Sequence, residues 1–124
     1  KAFQDRVSVD KLNRIMHPEM NKEIARVVQR SRGSGAVVDG ALIFEMGIDE
    51  MLDAVVLVTA PFEVRAERLK QKRGWSPDEL LRREKFHMTD AEKRTRADFL
   101  VDNTGTFNQM KERIQSIWRN LGNG

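Results

Sequence analysis

Apolar residues recur at helical spacing near the start of the chain. Between residues 9 and 16 they predict a short helix that begins after Ser8 and ends before Pro18. A proline suits the first position of a helix, where its missing N–H costs nothing, so further helices are predicted from Pro18 to Gln29 and from Pro61 to Lys72. The apolar positions of the first helix are Val9, Leu12, Ile15 and Met16.

Capping patterns predict three more helix starts. In each, a hydroxyl side chain stands three residues before an acid or an amide, so that side chains can satisfy two backbone N–H groups left unpaired by the first turn. On the last of these helices, Trp118 is predicted to face the core. The capping pairs are Ser76 with Glu79, Thr89 with Glu92, and Thr106 with Gln109.

Three short runs between the helices have a different character. Residues 36–39, 54–58 and 99–101 are rich in β-branched side chains, and their apolar residues are consecutive rather than alternating, as expected of strands that helices cover on both faces. Helices that alternate with such strands predict an α/β fold with a parallel sheet.

Composition narrows the possible chemistry. The 124 residues include no Cys, which excludes a disulfide scaffold, a cysteine-based zinc site and a thiol nucleophile. No stretch approaches the roughly 20 apolar residues of a membrane span, and the first residues lack a secretory signal, so a cytoplasmic protein without a membrane partner is predicted. The net charge of +3 suits small anions such as phosphate and is too weak to indicate nucleic acid.

Basic residues are concentrated between Arg65 and Arg96, which we call the basic segment. Few apolar residues lie among them, so most of the segment is predicted to project into solvent. One interpretation is a solvated helical surface with ion pairs such as Glu79 with Arg83. The other is a mobile basic hairpin that closes over a phosphate-bearing ligand.

Four stretches, in the same order and with close to the same spacing, resemble the dephospho-coenzyme A kinases, a family of P-loop kinases. They are AFQDRVSVDKLNRIMHPEM, VVDGALIFEMG, DAVVLVTAPFEVRAERLKQKRGWS and EKRTRADFLVDNTGT. The resemblance implies a P-loop kinase-like parallel sheet covered by helices, a helical acceptor-binding part and a lid. It also implies transfer of the γ-phosphoryl group of ATP, with Mg²⁺, to the ribose 3′-hydroxyl of the small-molecule substrate dephospho-coenzyme A, the last step of coenzyme A biosynthesis.

The resemblance assigns residues 1–35 to the acceptor-binding helices, residues 36–67 and 97–124 to the nucleotide-binding core, and residues 68–96 to the lid. The family's Walker A loop, GxxxxGK followed by Ser or Thr, and its catalytic aspartate have no counterpart here. We therefore expect a C-terminal portion that is inactive alone. Because the strand before that loop lies in the middle of the family's sheet, residues 1–124 by themselves are not expected to form the native sheet as a monomer.

Three basic residues are implied to contact the nucleotide. Arg68 resembles the arginine that contacts the transferring phosphate, where a planar guanidinium can donate two parallel hydrogen bonds. Its position alone favours a surface arginine paired with Glu63 or Glu67. Lys72 and Arg73 are expected either to follow the phosphates into a closed lid or to remain solvated cations.

Asn103 leaves the last predicted strand on a turn that, by resemblance, lies against the adenine; the alternative is an Asx-type turn that merely ends the strand. His17, Asp39 and Gly40 are implied to line the acceptor site. Judged by residue type, His17 is instead a cap or packing residue and Asp39 a strand-end carboxylate. The two histidines have no partner four residues away, so no metal site is predicted, and the missing loop and the nucleotide are expected to hold Mg²⁺.

Two other functions stay open at this point. One is a P-loop kinase for another small molecule, such as a nucleoside monophosphate or a sugar acid. The other is a non-catalytic basic module that binds anions. The absent Walker A lysine favours the module, whereas the order of strand, helix, lid and adenine turn favours a kinase. The oligomeric state is not predicted.

Overall fold

The computed structural model describes residues 5–122, and the chain divides into two compact units between residues 52 and 53. The first unit holds helix α1 (Arg6–Arg30) and a 3-10 helix (Ile48–Met51). The second holds, in chain order, strand β1 (Val56–Thr59), helices α2 (Phe62–Arg73), α3 (Pro77–Glu84) and α4 (Asp90–Arg96), strand β2 (Phe99–Asp102) and helix α5 (Phe107–Gly122). Among the described residues, no helix is long and apolar enough to cross a lipid bilayer.

Helix α1 is continuous, and the prediction of two helices that meet at Pro18 is wrong. Asp5 caps the start of α1 by accepting a hydrogen bond from the Ser8 N–H at 2.8 Å. Pro18 lies in the helix interior, where it removes one helical hydrogen bond. His17, which precedes it, is not a side chain that caps helices well. A proline is compatible with the first turn of a helix, but it does not start a new helix when no capping side chain precedes it.

Residues 36–39 do not form the predicted strand. They have no regular secondary structure, and Val37 is 83% exposed. An apolar run becomes a strand only where another strand offers it a ladder of hydrogen bonds, and no strand in the described part of the chain does so. The chain then turns through residues 41–47, and the Asn21 side-chain amide fastens α1 to this turn by donating to the Met46 carbonyl at 2.7 Å.

Strands β1 and β2 form a two-stranded parallel sheet, which confirms the predicted α/β class and strand direction. In register, Val58 pairs with Val101 and Thr59 with Asp102. Helix α4 packs against β1 and helix α5 against β2. Val101 is 0% exposed, so the second strand lies at the centre of this unit's apolar core.

All three predicted capping pairs begin helices. Thr89 and Glu92 form a complete capping box, in which each side chain binds the other residue's backbone N–H. The Thr89 backbone N–H, at 2.8 Å from the Glu92 carboxylate, holds the pKa of Glu92 below its ordinary value. The prediction for Trp118 is wrong: it is 59% exposed, and its neighbour Ile117 is the buried residue of α5. The face of α5 that packs on the core therefore contains Ile117 and not the adjacent Trp118.

Replacing Val101 with Ala should lower the free energy of unfolding by about 2 kcal/mol, because two buried carbon groups of about 0.8 kcal/mol each are lost and a cavity remains. Val58→Ala is the matched control, since Val58 pairs with Val101 but is 50% exposed. Its loss should be less than about half as large. Urea denaturation measures both values, and equal losses would contradict the assigned core.

Acid should weaken the start of α4. Because the pKa of Glu92 is lowered in the folded chain, its ionised carboxylate stabilises the fold above about pH 4.3, the ordinary value for glutamate. That contribution is lost as the pH falls through the lower folded value. An NMR titration should show Glu92 and the Thr89 amide changing together below about pH 4.3, and Glu92→Gln should remove this transition from the amide. A Glu92 midpoint at or above the ordinary value would refute the capping interaction.

Candidate functional site

The carboxyl ends of β1 and β2 lie side by side at one edge of the sheet. Thr59, the last residue of β1, is in register with Asp102, the last residue of β2. The Asn103 N–H donates to the Thr59 carbonyl at 2.8 Å and extends the ladder by one bond. Because ligands of open α/β sheets bind outside the carboxyl ends of the strands, this edge is the candidate site.

Arg68 reaches this edge from α2. Its Nη1 donates to the backbone carbonyl of Asn103 at 2.7 Å, and the contact is partly buried. The alternative of a surface ion pair with Glu63 or Glu67 is not realised, because neither carboxylate is paired with Arg68 among the ion pairs of residues 5–122. Two residues that the resemblance singled out separately, Arg68 and Asn103, are thus in direct contact.

The turn that carries Asn103 is built from its neighbours' side chains. Asp102 Oδ1 accepts from the Thr104 N–H at 2.9 Å and from the Thr104 hydroxyl at 2.6 Å, which is the Asx-type turn considered above. A side chain at Gly105 would collide with the Gln109 amide oxygen, which the Thr106 N–H binds to begin α5. The turn is therefore held on both sides of Asn103.

A second arginine, Arg94 on α4, reaches the same edge. Its Nη2 donates to the Thr59 hydroxyl at 3.1 Å. Thr59 is only 7% exposed, so this bond satisfies a buried polar group. Neither Arg94 nor Thr59 was a candidate from the sequence. The only available signal was the position of Arg94 in the basic segment, and nothing in its spacing separates it from the other cations.

Lys72 and Arg73 lie in the last turn of α2, beyond Arg68, and both are exposed. The Arg73 guanidinium is 5.7 Å from the centroid of the Trp75 ring, and that of Arg83 is 4.2 Å from it. Gly74 ends α2 in the left-handed conformation, with φ of 67°. Arg73 therefore faces Trp75, whereas Arg68 faces the sheet edge.

Several other cations of the basic segment belong to ion pairs, as the solvated-surface interpretation predicts. Glu79 accepts from Arg83 at 2.8 Å and also pairs with Arg82, and the Arg83 hydrogen bond is the main reason that the pKa of Glu79 is lowered. Arg65 pairs with Glu84, which joins α2 to α3. Arg65 also donates from Nε to the carbonyl of Ala60, the residue after β1, at 2.9 Å. In the described part of the chain, Arg68 and Arg94 differ from Arg65 because they reach the sheet edge without pairing with a carboxylate.

The three predicted acceptor-site residues lie in the first unit. His17 is half-buried in α1, and Asp39 and Gly40 are exposed after the extended run that begins at residue 36. This unit also contains an open cavity of about 430 Å³ between the end of α1 and residues 36–38, which the sequence did not predict. The cavity lining is mainly apolar and consists of Glu23, Ile24, Val27, Val28, Ser31, Ala36, Val37 and Val38.

Acidic and histidine side chains are the candidate metal ligands of this chain. Within residues 5–122, no three of these side chains are grouped so that they could hold a metal ion.

Comparison with known proteins identifies the family. Residues 1–109 match the family model CoaE, dephospho-CoA kinase. A dephospho-CoA kinase of Corynebacterium diphtheriae is 32% identical over 122 residues, which are 96% of this chain and 61% of that protein. One from Corynebacterium jeikeium is 34% identical over 124 residues, 98% of this chain and 64% of that protein.

The fold of the chain is also similar to that of a solved structure. The crystal structure of TT1252 from Thermus thermophilus matches 96% of this chain and 62% of its own with a TM-score of 0.78 and 29% identity. The chain thus spans about three fifths of the length of the relatives that it matches. With the family match over residues 1–109 and these relatives, the chain belongs to the dephospho-CoA kinase family.

Proposed function

We propose that this protein transfers the γ-phosphoryl group of ATP to the ribose 3′-hydroxyl of dephospho-coenzyme A, the last step of coenzyme A biosynthesis, in the cytoplasm. The bond between Arg68 and the Asn103 carbonyl carries the proposal. It joins the arginine expected at the transferring phosphate to the turn expected at the adenine, at the sheet edge where nucleotides bind in α/β folds. Family membership supplies the reaction.

Arg68 is proposed to stabilise the phosphoryl group during transfer. Its bond to Asn103 uses one of the five N–H donors of the guanidinium, and it fixes the direction of the group. In phosphoryl transfer, negative charge spreads over the equatorial oxygens, and a guanidinium held in place can donate to two of them at once. A held arginine loses less side-chain freedom on binding than a solvated one.

The nucleotide is proposed to lie along this edge with its adenine against the Asn103 turn. The Asx-type turn and an adenine-binding role are compatible, because the turn's internal bonds use Asp102 and Thr104 and leave the Asn103 side chain outside them. Lys72 and Arg73 are proposed to approach the phosphates when the lid, residues 68–96, closes. Arg73 would then leave Trp75, a contact worth about 0.5–1 kcal/mol at an exposed site.

Acceptor binding is proposed for residues 1–35, which include His17, and for Asp39 and Gly40, all in the first unit. The nucleotide-binding core is proposed to comprise residues 36–67 and 97–124. Mg²⁺ is proposed to bind together with ATP, on the phosphates of the nucleotide; no group of three metal-binding side chains occurs among residues 5–122, and none of them is proposed as its ligand.

Family membership weighs against the two other functions. A non-catalytic anion-binding module requires neither the strand order nor the contact between Arg68 and the turn. A kinase for another small molecule would have the same core, so the identity of the acceptor has to be tested directly.

Arg68→Met should reduce kcat for dephospho-coenzyme A phosphorylation by at least about 100-fold, as expected when a preorganised donor to the transition state is lost. Arg82→Met is the matched control: it removes the same charge from an arginine that is 68% exposed and paired on its own helix. It should change kcat by less than about twofold. The assay measures the coenzyme A that the full natural protein forms from dephospho-coenzyme A and ATP.

Three results would refute this proposal. They are failure of the wild type to phosphorylate dephospho-coenzyme A, more efficient phosphorylation of a nucleoside monophosphate or a sugar acid, and equal effects of Arg68→Met and Arg82→Met on kcat. The first two reject the acceptor and the third rejects the role of Arg68.

A further inference from the structure

The Thr59 hydroxyl is a point at which α4 is bonded to the sheet. Its partner, Arg94, lies 35 residues along the chain, in a different element. This distinguishes Arg94 from Arg82 and Arg83, which pair with Glu79 on their own helix. An exposed ion pair within a helix contributes little, whereas a guanidinium that satisfies a buried hydroxyl makes a charge-assisted bond that cannot be replaced by water without rearrangement.

Three hydrogen bonds run in series from this point. Arg94 donates to the Thr59 hydroxyl at 3.1 Å, the Asn103 N–H donates to the Thr59 carbonyl at 2.8 Å, and Arg68 donates to the Asn103 carbonyl at 2.7 Å. Thr59 thus binds α4 through its side chain and the Asn103 turn through its backbone. The two arginines come from the helices on either side of α3, and both end at this edge.

We propose that Arg94 is a positioning residue that acts through Thr59 on the Asn103 turn, and through that turn on Arg68. By holding the hydroxyl, it fixes the end of β1, where the described sheet has only β2 as a neighbour. It touches neither nucleotide nor acceptor. Its effect on nucleotide affinity rests on the proposed function, whereas its effect on the turn does not.

This arrangement couples α4 to the nucleotide. If the Arg94 bond is made only when α4 is seated on β1, then a nucleotide that binds the ordered turn favours the seated helix. By linkage, the seated helix raises nucleotide affinity by the same factor. Helix α4, at the end of the proposed lid, would in this way influence the Asn103 turn through Thr59 of β1.

Hydrogen exchange at the Asn103 amide tests the effect on the turn. In the full chain, Thr59→Val and Arg94→Met should each accelerate exchange of this amide by about tenfold, as expected for loss of a hydrogen bond to a charged group. Exchange of the Ile117 amide in α5 should stay unchanged, because the opening is local. Thr59→Ser, which keeps the hydroxyl, should exchange like the wild type, and the double variant should be no faster than either single variant.

Arg82→Met is the control, since it removes the same charge from an exposed arginine of the basic segment that pairs with Glu79 on its own helix. It should leave the Asn103 amide within about twofold of the wild type. If the Thr59→Val variant does not fold, exchange in Arg94→Met alone tests the proposal, because Arg94 is exposed and its replacement leaves the core intact. Unchanged exchange in Arg94→Met, or equal acceleration in Arg82→Met, overturns the proposal.

ATP binding, measured by calorimetry on the natural protein, provides the second readout. Thr59→Val and Arg94→Met should weaken it by about tenfold, while Thr59→Ser restores it. A wild type that binds no ATP rejects the proposed function, and the exchange data then still decide whether Arg94 positions the turn. A wild type that binds ATP with variants of equal affinity rejects the coupling of Arg94 to the nucleotide.

Discussion

The parallel pairing of β1 with β2 is the interaction on which the second unit depends. It brings the carboxyl ends of β1 and β2 to one edge of the sheet. The connection between the two strands, which contains α2, α3 and α4, is thereby closed into a loop. Closing a loop of this length costs conformational entropy, which the ladder bonds and the burial of Val101 offset. Without the pairing, the Asn103 turn would have no fixed position and Arg68 no partner.

Charge alone does not identify the functional arginines of the basic segment; their partners do. Arg82 and Arg83 bind a carboxylate on their own helix, and Arg65 binds one on the next helix. Arg65 also donates to the Ala60 carbonyl at the end of β1. Arg68 and Arg94 bind oxygens of the sheet edge and, among the described residues, no carboxylate. A guanidinium bonded to a neutral oxygen keeps its full charge available for an anion, whereas one paired with a carboxylate is largely neutralised.

Local signals predicted the parts of this fold that local interactions determine. The capping pairs begin their helices, and two apolar runs form parallel strands. Where a partner distant in sequence decides, prediction failed: residues 36–39 have no neighbouring strand within the described part of the chain. The error at Pro18 has a local cause, because α1 continues through this proline when no capping side chain precedes it. Arg68 and Asn103 were singled out through family resemblance. Arg94 was not, since only the folded chain shows which cation lies over Thr59.

The aromatic contact in the segment between α2 and α3 has an optical consequence. The Arg83 guanidinium lies 4.2 Å from the centroid of the Trp75 ring, and Arg73 approaches the same indole. A cation held over an indole face perturbs the excited state of that ring, so its emission senses whether the two guanidinium groups are present. The chain therefore contains an intrinsic fluorophore that reports movement of these helices in real time without any attached dye.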